Sequence, residues 1–120
     1  MAHTILIVDH DEMALLVRRL VLENASYIVL TATSAAQALQ VFATNSVDLV
    51  ITDHVLLPHS GTAISAELRR LSPTLPVMTL SGGVLNPDDV KPPDYFLHKL
   101  EGPVALVSKV QSMLLATSQS

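Results

Sequence analysis

The sequence predicts an α/β domain built on a parallel sheet with helices over its faces, and three observations predict it. Five short apolar runs rich in β-branched residues recur along the chain, at Thr4–Val8, Tyr27–Leu30, Val47–Thr52, Val77–Leu80 and Tyr95–Leu97. These runs are continuous rather than alternating, which is how strands read when both of their faces are buried. Helix-like segments lie between them on short connections, and strand–helix alternation of that kind builds a parallel sheet through right-handed crossovers.

Each helical segment carries its own signals. Glu12–Asn24 places Leu16, Leu20, Val17 and Val21 at helical spacing, which predicts a core-facing stripe with Arg18, Arg19 and Glu23 on the other side. Ser34-Ala35-Ala36-Gln37 opens the next segment, Ser34–Asn45, with a capping-box pattern. Thr62–Leu71 follows Ser60-Gly61 and stops before Pro73. Val104–Leu115 follows Gly102-Pro103, where proline suits the first helical position. The stretch Gly82–Pro93 is different, because its three prolines and two glycines forbid a full helix. At most a turn or two fits near Pro87–Val90, so the fourth helix is expected to be short or irregular. No linker or repeat interrupts the chain, and a single domain over residues 1–120 is the expectation.

Composition narrows the function classes. Hydrophobic residues make up 49% of the 120 and charged residues only 15%, a balance that can build a core and does not describe a disordered chain. The net charge of −4, with no cluster of Lys and Arg, argues against a dedicated nucleic-acid binder. Without cysteine there is neither a disulfide framework nor a thiolate metal site. The apolar stretches are too short to span a bilayer, and the N-terminus runs straight into a strand-like segment, so no membrane association and a cytoplasmic location are expected.

Chemistry gathers at the carboxyl ends of the strands. The first ends in Asp9, the third in Asp53, the fourth in Ser81 and the fifth in Lys99. In a parallel sheet these ends share one edge, the edge at which ligands bind. Two carboxylates held together need a positive partner or a proton, and a hard divalent cation such as Mg²⁺ answers that need with oxygen ligands. A carboxylate nucleophile, a cation, an ammonium and a hydroxyl suit the transfer of a phosphoryl group to an aspartate.

These residues carry a resemblance. Ile5-Leu6-Ile7-Val8-Asp9-His10-Asp11-Glu12, Asp48-Leu49-Val50-Ile51-Thr52-Asp53 with Gly61 downstream, Pro76-Val77-Met78-Thr79-Leu80-Ser81-Gly82 and Tyr95-Phe96-Leu97-His98-Lys99 resemble, in order, the receiver domains of two-component response regulators. The resemblance implies a doubly wound five-stranded sheet of order 2-1-3-4-5. It implies Asp53 as phosphoryl acceptor, Asp9, Asp53 and the backbone carbonyl of Val55 as Mg²⁺ ligands, and Ser81 and Lys99 as partners of the phosphoryl oxygens. Phe96 corresponds to the family's aromatic switch and Ser81 to its hydroxyl switch. The implied partners are a sensor histidine kinase or phosphotransfer protein, an unknown output protein and, as a further option, a second copy of the chain. The implied chemistry is at most an autocatalytic acceptance of phosphate.

Three departures stand beside the resemblance. His10 replaces the second residue of the family's acidic pair, and imidazole suits transition metals better than Mg²⁺, so weakened Mg²⁺ binding is expected unless Asp11 substitutes. Pro58 falls one place later than the family's proline, and Leu100 follows Lys99 where the family has proline. The residues two beyond Asp53 and Ser81, Val55 and Gly83, offer no polar side chain to orient water, so slow self-hydrolysis is expected. The alternative is a pseudo-receiver, an interaction module that keeps the fold and does not turn over phosphoryl groups. A flavodoxin-like nucleotide binder is disfavoured by the lack of a Gly-rich loop after the first strand.

Overall fold

A computed structural model of the chain describes residues 2–53, 61–82 and 94–118, without the side chains of residues 61–63, 94 and 118. The described elements are β1 (Thr4–Val8), α1 (Glu12–Asn24), β2 (Ile28–Ala32), α2 (Ala35–Thr44), β3 (Leu49–Asp53), α3 (Gly61–Leu71), β4 (Val77–Ser81), β5 (Asp94–His98) and α4 (Pro103–Ser118). The five strands form one sheet in the order β2-β1-β3-β4-β5. All four pairings are parallel, with Leu6 opposite Leu30 and Val50, Ile51 opposite Met78, and Thr79 opposite Phe96. The expected order is the observed one. The expected irregular helix between β4 and β5 lies outside the described residues, as do His54, Val55, Pro58 and Gly83.

The period-2 alternation of the strands divides the core into two layers. Ile5, Ile7, Leu49, Ile51, Met78 and Leu80 point to the side covered by α1 and α4, where they meet Leu15, Leu22, Val110 and Met113. Leu6, Val8, Val50 and Val77 point to the opposite side, covered by α2 and α3 through Ala35, Ala38, Ile64 and Leu68. Both faces are therefore dry, which explains why the central strands carry no polar alternation.

Local chemistry bounds α1 and α2 where the sequence indicates, whereas α4 runs past the expected Leu115 to Ser118. The Asp11 carboxylate caps α1 by accepting from the N–H groups of Met13 at 3.0 Å and Ala14 at 3.3 Å. At the other end, Ser26 N–H donates to Glu23 O and Tyr27 N–H to Leu22 O, a Schellman closure that puts Ser26 at φ 73°. Ser34 caps α2 through Gln37 N–H. The reciprocal arm of the expected capping box reaches one residue further, since the Gln37 carbonyl accepts from the N–H and hydroxyl of Thr33 rather than from Ser34.

The orientation of α1 corrects the sequence expectation. Leu16, Val17 and Leu20, expected in the core, are exposed at 45%, 55% and 57%, and Met13 joins them at 68%. The buried residues are Leu15 and Leu22, with Val21 at the margin, and Arg18 lies with them rather than in solvent. Apolar residues occupy nearly every side of this helix, so periodicity alone does not select the inward face. The cap at Asp11 and the ion pair described below select it. Among the described residues no helix is long and apolar enough to cross a membrane.

Candidate functional site

The strand ends bring Asp9, Asp53, Ser81 and Lys99 to one edge of the sheet, where the strand order reverses between the paired neighbours β1 and β3. Asp9 follows β1, and its N–H continues the ladder by donating to Ala32 O at 3.1 Å. Asp53 is the last residue of β3, and Ser81 is the last residue of β4. All three are buried. The Ser81 carbonyl accepts from Lys99 N–H at 2.8 Å, so β4 sets the position from which the lysine side chain departs. The open side-chain position of Gly82 lies 4.0 Å from Lys99 Cδ, so the lysine stem passes over the end of β4.

Each carboxylate has its own cation. Lys99 Nζ lies 2.8 Å from both oxygens of Asp53. Arg18 Nη1 donates to Asp9 Oδ2 at 2.7 Å, from a side chain only 16% exposed. The other Asp9 oxygen, Oδ1, accepts from Asp11 N–H at 2.9 Å. His10 Nδ1 stands between the two carboxylates, 3.6 Å from Asp9 Oδ1 and 3.9 Å from Asp53 Oδ2. One ligand atom from each of Asp9, His10 and Asp53 lies within 4.8 Å of the others. Two negative charges at that separation repel by about 3 kcal/mol at an effective dielectric constant near 20. Arg18 and Lys99 offset that repulsion, which is why both carboxylates can be buried side by side.

Sequence reasoning placed Asp9, Asp53, Ser81, Lys99 and His10 at this edge and missed Arg18. The signal existed. Arg18 lies seven residues, two helical turns, after the capping Asp11, on the face from which β1 delivers Asp9. Helical side chains lean toward the N-terminus, so Arg18 reaches back to the strand end. Asp11, expected as a possible substitute ligand, is instead engaged as the α1 cap. Phe96 sits half-buried in β5, opposite Thr79, while its neighbour Tyr95 lies on the α4 side with the Lys109 ammonium 5.6 Å from its ring. Leu100 N–H donates to His98 Nδ1 at 3.1 Å, a bond that a proline at that position has no N–H to make.

A groove runs from this pocket between α1 and the β5–α4 connection, lined in part by Met13, Val17, Arg18, Lys99, Pro103 and Leu106. Met13 and Val17 of the exposed α1 stripe thus adjoin the pocket of Asp9 and Asp53.

Residues 5–92 match the response regulator receiver domain. The chain belongs to this family. Among curated proteins, it is 36% identical over 86 residues to the transcriptional regulatory protein GlrR of Escherichia coli K12, covering 72% of this chain and 19% of that protein. It is 33% identical over 79 residues to the autoinducer 1 sensor kinase/phosphatase LuxN of Vibrio campbellii, covering 66% of this chain and 9% of that protein. The chain therefore spans only a small part of the length of these relatives. Among solved receivers, it superposes on a receiver domain protein from Clostridium thermocellum with a TM-score of 0.87 at 27% identity, covering 98% of both chains. A CheY-like receiver from Methanospirillum hungatei shares the fold with a TM-score of 0.89 at 22% identity, covering 99% of this chain and 98% of that one.

Proposed function

We propose that this receiver accepts a phosphoryl group on Asp53 from the phosphohistidine of a sensor histidine kinase or phosphotransfer protein. The observation that carries the reading is the buried Asp53 carboxylate held by Lys99 Nζ at 2.8 Å on the open edge of the sheet. An Asp53 oxygen attacks phosphorus, the P–N bond of the donor breaks, and the departing imidazole keeps the electron pair and takes up a proton. Lys99 then pairs with a phosphoryl oxygen, and the Ser81 hydroxyl supplies a donor to another. The added charge at the sheet edge is the signal, read through Ser81 and Phe96 as switch residues and passed on by protein–protein contact to an output protein or a second copy of the chain. The matches to a transcriptional regulatory protein and to a sensor kinase support a phosphorelay role, which on this reading is played in the cytoplasm.

The exposed Met13, Leu16, Val17 and Leu20 stripe supports the partner assignment, because an apolar helix face beside the acceptor suits docking against a partner's helices. On this reading the receiver modifies itself and turns over no other substrate.

The residues present fit Mg²⁺ poorly. Imidazole stands where a carboxylate ligand is needed, and both oxygens of Asp9 are engaged by protein donors. The Val55 carbonyl, the remaining expected ligand, lies outside the described residues. The same facts favour a second reading, a pseudo-receiver that keeps the fold for binding alone. Incubation with acetyl phosphate separates the two. A mass increase on the wild type that vanishes in Asp53→Ala supports the acceptor reading, and its absence with every donor tried supports the pseudo-receiver.

A further inference from the structure

We infer that Arg18 is the resident counter-cation of the Asp9 carboxylate and takes the electrostatic place of a divalent metal, so that the pocket works without Mg²⁺. The inference rests on the receiver fold and deepens the reading of Asp53 as acceptor.

The charge balance of the pocket is the first argument. Two buried carboxylates, Asp9 and Asp53, face two fixed cations, Arg18 and Lys99, and the pairs are closed at 2.7 and 2.8 Å. A site with one more carboxylate and one fewer arginine carries a net negative charge that a divalent ion neutralises. Here His10 stands in place of that carboxylate and Arg18 supplies a cation, and both lower the negative charge of the pocket. A divalent ion entering this pocket meets two buried carboxylates that each already hold a cation, and a guanidinium within contact distance of its first ligand.

The partners already held by each carboxylate are the second argument. Asp9 Oδ2 holds Arg18 and Oδ1 holds the Asp11 N–H. Both Asp53 oxygens lie at 2.8 Å from Lys99 Nζ. Each oxygen keeps a second lone pair, but an ion that takes it must sit beside a cation already held by the same carboxylate, and Arg18 and Lys99 repel it there. Arg18 is also anchored, since its side chain is mostly buried on the face of α1 that carries Leu15 and Leu22 into the core. Its guanidinium is held against Asp9 Oδ2 through Nη1 from a mostly buried side chain.

Arg18 is a positioning residue on this account. It fixes Asp9 and supplies positive potential beside Asp53, while Asp53 remains the group that reacts. The test is a Mg²⁺ titration followed by amide NMR shifts at Asp9, Asp53 and Gly82. Wild type, Arg18→Gln, His10→Asp and the double variant are compared. Glutamine keeps a donor for Asp9 and removes the charge, which guards against loss of folding. Wild type is expected to show no saturable shift. Arg18→Gln is expected to show a saturable shift over the range in which wild type shows none, and the double variant to bind at least about tenfold more tightly than Arg18→Gln. Saturation of the wild type as tight as that of the double variant overturns the inference, as does an Arg18→Gln affinity equal to wild type. A second readout is wild-type Asp53 modification by acetyl phosphate with Mg²⁺ or with EDTA. Equal rates support the inference, and a reaction abolished by EDTA overturns it. If neither condition modifies Asp53, the acceptor reading falls, and the titration alone decides the role of Arg18.

Discussion

The two faces of α1 are made of similar residues and do opposite things. The inward face carries Leu15, Arg18 and Leu22, and the outward face carries Met13, Leu16, Val17 and Leu20. By hydrophobicity alone the outward face is the better core stripe. The inward face wins because burying Arg18 is compensated at the sheet edge, where the Asp9 carboxylate waits at 2.7 Å. The comparison teaches that a buried ion pair can select the rotation of a helix whose apolar residues leave it undecided. It also leaves an apolar surface free beside the pocket, at the cost of solvent exposure that a partner can relieve.

The sharpest way to break this comparison is to remove the inward apolar anchor. Leu22→Ala deletes a fully buried side chain and is expected to destabilise the domain by about 3 kcal/mol, read by denaturant unfolding. Arg18→Met comes next. It leaves the buried Asp9 charge unpaired and is expected to cost about 2 kcal/mol, below the value for a fully enclosed pair because the guanidinium edge reaches solvent. A cost near zero would mean that packing, not the ion pair, orients α1. Ser26→Gly sharpens the same helix at its other end. It relieves a left-handed backbone at φ 73° and is expected to stabilise the domain by about 1 kcal/mol, seen as a higher Tm.

The smallest expected change in stability belongs to the outward face. Leu16→Ser combined with Leu20→Ser is expected to shift unfolding by no more than about 0.5 kcal/mol per site. The same pair is expected to slow phosphotransfer from a protein donor and leave modification by acetyl phosphate unchanged. Equal loss with both donors would remove the stripe from partner docking and place its effect inside the pocket.

Much of the fold was legible in the sequence because its signals are local. Continuous apolar runs such as Ile5–Val8 and Leu49–Ile51 mark strands buried on both faces, and the observed strand β1 begins and ends at the expected residues, Thr4 and Val8. Helix α1 likewise spans the expected Glu12–Asn24. Strand ends were less sharp. β2 runs Ile28–Ala32 rather than Tyr27–Leu30, because the Schellman closure at Ser26 and Tyr27 uses the first residue of the apolar run to finish the helix. The site was legible to the extent that its residues sit at strand ends, where chain direction alone delivers Asp9, Asp53, Ser81 and Lys99 to one edge. Arg18 was not, because its role depends on how a helix rolls against the sheet.

The sequence by itself determined the alternation of strands and helices, the two dry faces of the sheet and the set of polar residues at its carboxyl edge, since each is written in near-neighbour patterns of one strand or one turn. Only the tertiary structure decided which side of α1 faces inward, which carboxylate each cation holds, and that Asp11 caps a helix instead of entering the pocket. Those outcomes depend on distances between segments far apart in the chain, and electrostatic pairing across such distances has no periodicity to read.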